Sequence, residues 1–217
     1  AVLVQQTELL HPFRMEQVVG LTRPAAQTIS PSGGAGLAAQ GESRIDALLD
    51  ELGIAALRGR RYTELSGGEQ RLVQLARVLR QNDAGMELDG TPGWLLLDEP
   101  ASHLDLGMTQ RVLDAANRRA RAGCGVIAVL HDLELASRWA DRMLILADGA
   151  LIADAPPVEA LEQSRVAAAW QVRVRVRPDG EGGVQLRLLD READTQTAPP
   201  PADEQDADRS PEAEHGT

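Results

Sequence analysis

Two neighbouring carboxylates follow a short apolar run near the middle of the sequence. The run WLLL at positions 94–97 leads directly into Asp98 and Glu99. An apolar run that ends in acidic residues is typical of a buried parallel strand, and open α/β sheets bind ligands at the carboxyl ends of such strands. One carboxylate there can hold Mg²⁺ through water, and the next can orient and polarise an attacking water molecule. The competing interpretation is an acidic strand end that faces solvent.

A glycine-rich turn, Ser66-Gly67-Gly68, precedes a run with helical spacing of apolar residues. These apolar residues fall on one helical face, at Leu72, Leu75, Ala76 and Leu79. Ser66 can cap the helix, and the two glycines let backbone N–H groups approach an anion closely. The amino terminus of a helix is therefore a natural phosphate site. An ordinary glycine-rich turn before a helix is the alternative.

A histidine closes a second apolar run. Residues 125–130 read GVIAVL and are followed by His131 and Asp132. If this run forms a strand parallel to the acidic one, His131 lies at the same edge of the sheet and could reach a terminal phosphate. A lone histidine is more often structural, but as the third member of this set we expect His131 to be functional.

Helices and strands alternate along the chain, which predicts an α/β domain with a largely parallel sheet. Apolar spacing predicts helices over residues 15–21, 43–57, 65–81, 108–123, 133–140 and 157–170. Buried strands are predicted at 94–100 and 125–132, and hairpins at 142–155, turning at Asp148-Gly149, and at 170–189. The stretch 22–43 predicts a loop or mobile connection, and the acidic, proline-rich stretch 191–217 predicts a disordered tail.

The composition narrows the class of protein. The 217 residues include 33 acidic and 22 basic side chains, which gives a net charge of −11. This acidic balance argues against a general nucleic-acid binder, because such a protein needs a basic surface to neutralise phosphates. The single cysteine, Cys124, excludes an internal disulfide framework and a multi-cysteine zinc site. Its apolar neighbours predict a buried structural thiol.

Taken in order, these motifs resemble the nucleotide-binding subunit of an ATP-binding-cassette (ABC) transporter. LSGGEQ at 65–70 matches the signature motif of that family, and WLLLDEP is similar to its Walker B strand with the catalytic glutamate. ASHLD, which ends in Asp105, looks like the D-loop, and HDLELASRWADR looks like the switch-histidine segment. Gln5 stands where the family has its Q-loop glutamine, with Gln6 as an alternative one residue away. The resemblance covers residues 1 to about 165.

The resemblance implies a P-loop NTPase-type ABC ATPase fold, a mostly parallel sheet with a helical subdomain. Residues 1–190 would be part of this domain: about 8–80 as the helical subdomain with the signature, 81–165 as the core with Walker B, D-loop and switch histidine, and 166–190 as a C-terminal hairpin. Residues 191–217 would be the disordered acidic tail.

The resemblance also implies a role for each site residue, with ATP and Mg²⁺ as the cofactors. Asp98 would bind Mg²⁺ through water, Glu99 would be the general base, and His131 would contact the γ-phosphate. Gln5 would contact the metal or the attacking water and sense the membrane partner. The signature residues would bind ATP held by the opposite subunit of a homodimer: Ser66, Gly67, Gly68, Glu69 and Gln70.

One family motif is missing from the sequence. The P-loop, G-x-x-x-x-G-K-[ST], needs a lysine, and all 22 basic residues here are arginine. We therefore expect an N-terminally truncated subunit that lacks the Walker A part and hydrolyses ATP poorly by itself. A non-catalytic remnant or binding module is the alternative of another class.

Two segments, 11–21 and 57–79, resemble the ATP-binding subunits of haemin importers most closely, and the insertion 81–93 is similar to those of haemin and cobalamin importers. Subunits of cobalamin and ferric-siderophore importers are the alternatives. The implied partners are a second ATP-binding subunit, transmembrane permease subunits and, indirectly, a substrate-binding protein, with no nucleic acid. The implied location is peripheral, at the cytoplasmic face of the bacterial inner membrane. We also expect Phe13 and Met15 to face the groove that receives the permease, although both could instead pack inside the subdomain.

Other ABC-type ATPases fit the sequence less well. A DNA-repair ATPase would place a long coiled coil between its two halves, but Leu65 lies only 60 residues after Gln5 and no heptad run appears. A translation-type protein would carry two cassettes in one chain, and 217 residues hold less than one.

Overall fold

The computed structural model of the chain describes residues 1–4, 12–21, 34–90 and 93–189, with the backbone alone for 34–40 and 87–89. The helices in these ranges are α1 (Met15–Gly20), α2 (Gly34–Glu51), α3 (Gly67–Asp89), α4 (Leu106–Arg121), α5 (Leu133–Trp139), α6 (Pro157–Ala160) and α7 (Gln163–Trp170). The strands are β1 (Val2–Leu3), β2 (Trp94–Asp98), β3 (Gly125–Val129), β4 (Met143–Ala147), β5 (Ala150–Ala155), β6 (Val174–Pro178) and β7 (Val184–Leu188).

The predicted parallel sheet is present and is formed by β1, β2 and β3 in that order. Leu96 of β2 lies opposite Val2 on one side and Ile127 on the other, and Asp98 lies opposite Val129. Since the carboxyl ends of parallel strands share one edge of a sheet, this register brings Asp98 and the residues after Val129 together. β4 with β5 and β6 with β7 form two separate antiparallel hairpins.

One face of this sheet is buried and the other is open. Leu95 and Leu97 are 0% and 2% exposed, because they point toward the helices, whereas Trp94 and Leu96 are 63% and 39% exposed. On β3, Ile127 and Val129 are also exposed, as is Val2 on β1. The prediction of a buried strand therefore holds for only one face of β2, because the described helices cover only that side, and it is wrong for β3, where residues 127–129 are exposed.

Two apolar cores hold the described residues together. The first lies under the sheet and contains side chains from β1, α1, α2, α3, β2 and α4. The second joins α5, α6, α7 and the two hairpins. Cys124 is buried in the first core, as predicted, and its thiol donates to the carbonyl oxygen of Gly93 at 3.0 Å.

The stretch 22–43 contains a helix where a loop was predicted. Helix α2 begins at Gly34, so the loop prediction is wrong for 34–43; residues 22–33 lie outside the described ranges. Ala, Leu, Gln and Glu in GLAAQGE are good helix formers and outweigh the cost of the interspersed glycines. The buried side chains of Leu48, Leu49 and Leu52 anchor the other end of the helix.

Helix α3 continues beyond its predicted end at residue 81. It runs from Gly67 to Asp89 and ends at Gly90, whose left-handed φ of 66° is typical of a helix C-cap. Most of the insertion 81–93 is therefore helical. Since α3 crosses residues 80 and 81 without a break, the division between a helical subdomain and a core remains a prediction.

The two predicted hairpins agree with the structure, but other predicted helices differ from it. The helix predicted over 43–57 ends at Glu51, because Gly53 adopts a φ of 67°, and Ala55–Leu57 form a separate 3₁₀ helix. The first hairpin turns at Asp148-Gly149, where both residues have positive φ, as a tight hairpin turn requires. The second hairpin pairs β6 with β7. Residues 157–170 form two helices, α6 and α7, rather than one. The predicted tail 191–217 lies outside the described residues.

Candidate active site

Glu99 and His131 meet at the carboxyl ends of β2 and β3. The amide of Glu99 donates to the carbonyl oxygen of Val129 at 3.2 Å, which extends the pairing of the two strands by one residue. His131 follows two residues later, and its Nε2 lies 2.6 Å from Oε1 of Glu99. The Glu99 side chain is 17% exposed and that of His131 is 75% exposed. The structure thus joins a half-buried carboxylate to an accessible imidazole, two groups that can accept and donate protons.

The Glu99 backbone adopts an unusual conformation. Its φ is 46°, in the left-handed region, which costs about 1–2 kcal/mol for a residue with a side chain. The Glu99 carbonyl oxygen accepts hydrogen bonds from the amide of Ser102 at 3.2 Å and from its hydroxyl at 3.0 Å. These bonds fix the turn after β2 and hold Glu99 in place. Such strain is common at functional sites.

Asp98 is the last residue of β2 and is exposed at the same edge. Within the described residues, no group of three or more His, Cys, Asp or Glu side chains could hold a metal ion by itself. Mg²⁺ usually binds one or two carboxylates together with water and substrate phosphates. An accessible oxygen donor beside Glu99 therefore fits magnesium that arrives with a nucleotide.

The turn at Ser66 begins helix α3 with a complete capping box. The Ser66 hydroxyl accepts from the Glu69 amide at 3.3 Å, and the Glu69 carboxylate accepts from the Ser66 amide at 2.7 Å. The hydrogen bonds from Ser66 lower the pKa of the Glu69 carboxyl, and nearby Arg60 lowers it further. The helix start is therefore fixed by its own residues, as the predicted Ser66 cap requires.

The two signature glycines, Gly67 and Gly68, have different surroundings, so an added side chain would have a different effect at each. A Cβ on Gly67 would meet no atom within 4 Å, so this backbone is open to a ligand. A Cβ on Gly68 would lie 3.4 Å from Leu104 and 3.5 Å from the sulfur of Met108. Gly68 thus lets the segment around Leu104 pack against the start of α3.

Gln70 and Asp105 both have structural partners in the chain. Nε2 of Gln70 donates to the carbonyl oxygens of Tyr62 and Leu65, at 3.1 and 3.2 Å, and so holds the turn before the signature. Asp105 caps α4 by accepting from the amide of Met108 at 2.7 Å. Their predicted contacts with nucleotide remain predictions.

Gln5 and Gln6 lie outside the described residues, one and two positions after Val4. Of the two residues expected at the permease groove, Met15 is fully buried in the first core. Phe13 is half-buried against the same core. The expectation is therefore wrong for Met15, because its side chain at the start of α1 packs inward.

Arg71 is a site residue that the sequence reasoning missed. Its guanidinium donates to the backbone carbonyl oxygens of Val4 at 2.7 Å, Asp98 at 2.5 Å and Glu99 at 2.9 Å. Burial lowers the pKa of Arg71, whereas the charges of Asp98 and Glu99 raise it. The sequence offers no signal that separates Arg71 from the other arginines of α3, Arg77 and Arg80.

The helix after His131 is held by contacts that were also missed. Asp132 caps α5 through the amide of Leu135 at 2.9 Å. The Glu134 carboxylate accepts from the amide of Leu186 at 2.6 Å, and the Ser137 hydroxyl accepts from the amide of Val184 at 3.0 Å. The C-terminal hairpin is therefore docked on α5.

Within the described ranges, no helix is both long and apolar enough to cross a membrane. No protein-family model matches the chain. The sequence is 40% identical over 185 residues to the hemin import ATP-binding protein HmuV of Rhodopseudomonas palustris strain BisA53, covering 84% of this chain and 63% of that protein. It is 39% identical over 191 residues to the protein of the same name from Bordetella avium strain 197N, covering 87% of this chain and 70% of that protein.

Solved structures agree on the fold. A metal-chelate type ABC transporter in an inward-facing conformation matches 88% of this chain and 72% of its own, with a TM-score of 0.65 and 18% identity. The ATP-binding subunit of an ABC transporter matches 80% of this chain and 62% of its own, with a TM-score of 0.54 and 19% identity. The predicted ABC ATPase fold is thus confirmed. With its capped signature turn, its paired strands and these relatives, the chain belongs to the family of ABC-transporter ATP-binding proteins that includes the hemin import proteins.

Proposed function

We propose that this chain is the larger part of an ATP-binding and ATP-hydrolysing subunit that drives import of haemin through a membrane permease. The contact between His131 and Glu99 at the carboxyl ends of two neighbouring parallel strands is the observation that carries the proposal. The choice of haemin comes from the names of the relatives. Cobalamin and ferric siderophores are the alternative cargoes.

Glu99 acts as the general base in this proposal. ATP with Mg²⁺ supplies the phosphoryl group and its counter-charge when bound. The Glu99 carboxylate would accept a proton from the attacking water, His131 would orient that carboxylate and contact the γ-phosphate, and Asp98 would hold Mg²⁺ through water. Positioning and charge stabilisation account for catalysis of this kind. Gln5 would complete the set by contacting the metal or the water.

The signature turn binds the nucleotide of a second subunit. Ser66 and Gly67 are exposed at the amino terminus of a helix of 23 residues, a position that favours phosphate. Ser66, Gly67 and Gly68 would contact the phosphate directly, with Glu69 and Gln70 supporting the turn, and Asp105 would lie at the interface of the homodimer.

The proposed assembly places this subunit at the cytoplasmic face of the bacterial inner membrane. It would bind permease subunits through the helical region of about residues 8–80, and an external binding protein would deliver the cargo. The core of about 81–165 would hold the catalytic residues. The hairpin of 166–190 would support them, and the acidic tail would follow.

Hydrolysis can be tested with a fusion in which a P-loop segment from the Bordetella avium relative precedes Ala1. We expect this fusion to hydrolyse ATP and its Glu99→Gln variant to lose about 10²–10⁴-fold in kcat, because a positioned proton acceptor contributes this much. Glu162→Gln, on an exposed turn far from β2 in sequence, is the matched control. Equal rates in the fusion and in Glu99→Gln would reject Glu99 as the base.

A second function is favoured by a specific observation. The described signature turn is fully capped, and the 217 residues given contain no lysine, so these residues alone would complete the ATP site of an intact partner without hydrolysing ATP themselves. The test mixes the chain with the intact Bordetella avium protein whose own signature serine is replaced by alanine. Restored hydrolysis that disappears with Ser66→Ala would support this role, and no restoration would reject it.

A further inference from the structure

A single side chain connects the start of the signature helix to the ends of two strands. Arg71 lies in the second turn of α3, and its guanidinium donates to the carbonyl oxygens of Val4, just after β1, and of Asp98, the last residue of β2. Leu3 and Leu97 lie opposite each other in the sheet, and Val4 and Asp98 are the residues that follow this pair. Arg71 therefore bridges both strand ends with its two Nη atoms.

The third hydrogen bond of Arg71 reaches the strained residue of the site. Its Nη2 donates to the Glu99 carbonyl oxygen at 2.9 Å. The same oxygen accepts from the amide and hydroxyl of Ser102. These donors hold the left-handed backbone of Glu99, from which the carboxylate that contacts His131 extends.

The charges at this position reinforce the geometry. Arg71 is half-buried, so burial lowers its pKa, and the nearby charges of Asp98 and Glu99 only partly oppose this shift. A guanidinium presents its donors in a rigid planar fork, so it can hold several carbonyl oxygens at once in a fixed arrangement, which a lysine cannot do. Hydrogen bonds from an ionised donor are also stronger than those between neutral groups.

We infer that Arg71 is a positioning residue that couples the signature turn to the Glu99–His131 pair of the same chain. A displacement at the start of α3 would be passed through the guanidinium to the Glu99 carbonyl and on to the carboxylate and His131. The effect of this link on ATP hydrolysis rests on the proposed function, in which the signature turn contacts the nucleotide of the second subunit. The mechanical link itself does not require nucleotide.

The experiment follows the ring signal of His131 by NMR in the nucleotide-free chain. The chain has four histidines, and the His131→Gln variant assigns the relevant signal. We expect Arg71→Gln to displace the His131 signal in the same direction as Glu99→Gln and by a comparable amount. Arg175→Gln, on an exposed position of β6, is the matched control and should leave the signal in place.

A structural role limited to stability would give a different result. Arg71→Gln that retains the circular dichroism of the parent chain but leaves the His131 signal unmoved would overturn the inference. If Arg71→Gln does not fold, Arg71→Lys decides by the same criterion, since it keeps the charge and loses the planar fork. A displaced signal combined with an inactive fusion would reject the proposed hydrolysis and leave the Arg71 link standing.

Discussion

The two faces of the β1–β2–β3 sheet are built from the same strands but have different surroundings. On β2, Leu95 and Leu97 point into the first core and are almost fully buried, whereas Trp94 and Leu96 are exposed on the opposite face. The apolar sequence of β2 gives no sign of this difference. A continuous apolar run predicts a strand that can be buried on both faces. The helices and strands that pack against it decide how many faces are covered.

The edge of the sheet that carries Glu99 and His131 is held by contacts from the buried face. Helix α3 packs under β1 and β2 within the first core, and from there Arg71 reaches the strand ends. Substitutions on the two faces should therefore change the free energy of unfolding by different amounts. Substitutions at the start of α3 should cause an intermediate change.

The largest difference in the free energy of unfolding is expected between variants of Leu97, on the buried face, and of Leu96, on the open face. Leu97→Ala should lower the free energy of unfolding by about 2–5 kcal/mol, because it leaves a cavity in a packed core. Leu96→Ala removes the same atoms from the open face and should cost about 0.5 kcal/mol or less. Urea unfolding followed by circular dichroism measures both. Similar losses in the two variants would mean that the faces are equally covered in solution.

A smaller change in the free energy of unfolding is expected at the start of helix α3. Ser66→Ala should lower the free energy of unfolding by about 1 kcal/mol, because it removes the capping hydroxyl of α3. Ser164→Ala, whose hydroxyl contacts only the exposed side chain of Glu162 among the described hydrogen bonds, is the control. The measurement is the midpoint of chemical denaturation at neutral pH. Identical midpoints for Ser66→Ala and Ser164→Ala would contradict the capping role.

The capping box should also make stability depend on pH. The folded state lowers the pKa of Glu69, so its stabilisation is fully present above the ordinary pKa of a glutamate. It is lost as the pH falls through the lower, folded value. Unfolding midpoints measured from pH 6 down to pH 3 should fall more steeply in the parent chain than in Glu69→Gln. Parallel curves would exclude this contribution.

The smallest change in stability is expected on the open face itself. Trp94→Ser should change the free energy of unfolding by about 0.5 kcal/mol or less, since the side chain is 63% exposed. It should, however, reduce self-association, because it interrupts an exposed apolar patch. Sedimentation velocity over a range of concentrations tests this. Unchanged association would show that the open face does not attract other copies.

Local sequence signals predicted the parts of the site that depend on neighbouring residues. The Ser66 cap, the strand that delivers Asp98 and Glu99, and the tight turn at Asp148-Gly149 all follow from residues a few positions apart. Other local predictions were wrong. The helix over 34–43 carries glycines that are typical of a loop, although alanine and leucine outweigh them, and the inward packing of Met15 cannot be read from an apolar pair on a short segment.

The sequence by itself determined the family motifs and the order of most helices and strands, because these depend on residue identity and short spacing. The tertiary structure alone decided that His131 contacts Glu99 across 32 positions and that Arg71 holds carbonyl groups 27, 28 and 67 positions away. It also decided which face of β2 is covered. The physical reason is that long-range contacts arise when separate elements pack together, and no local pattern of residues specifies which surfaces meet.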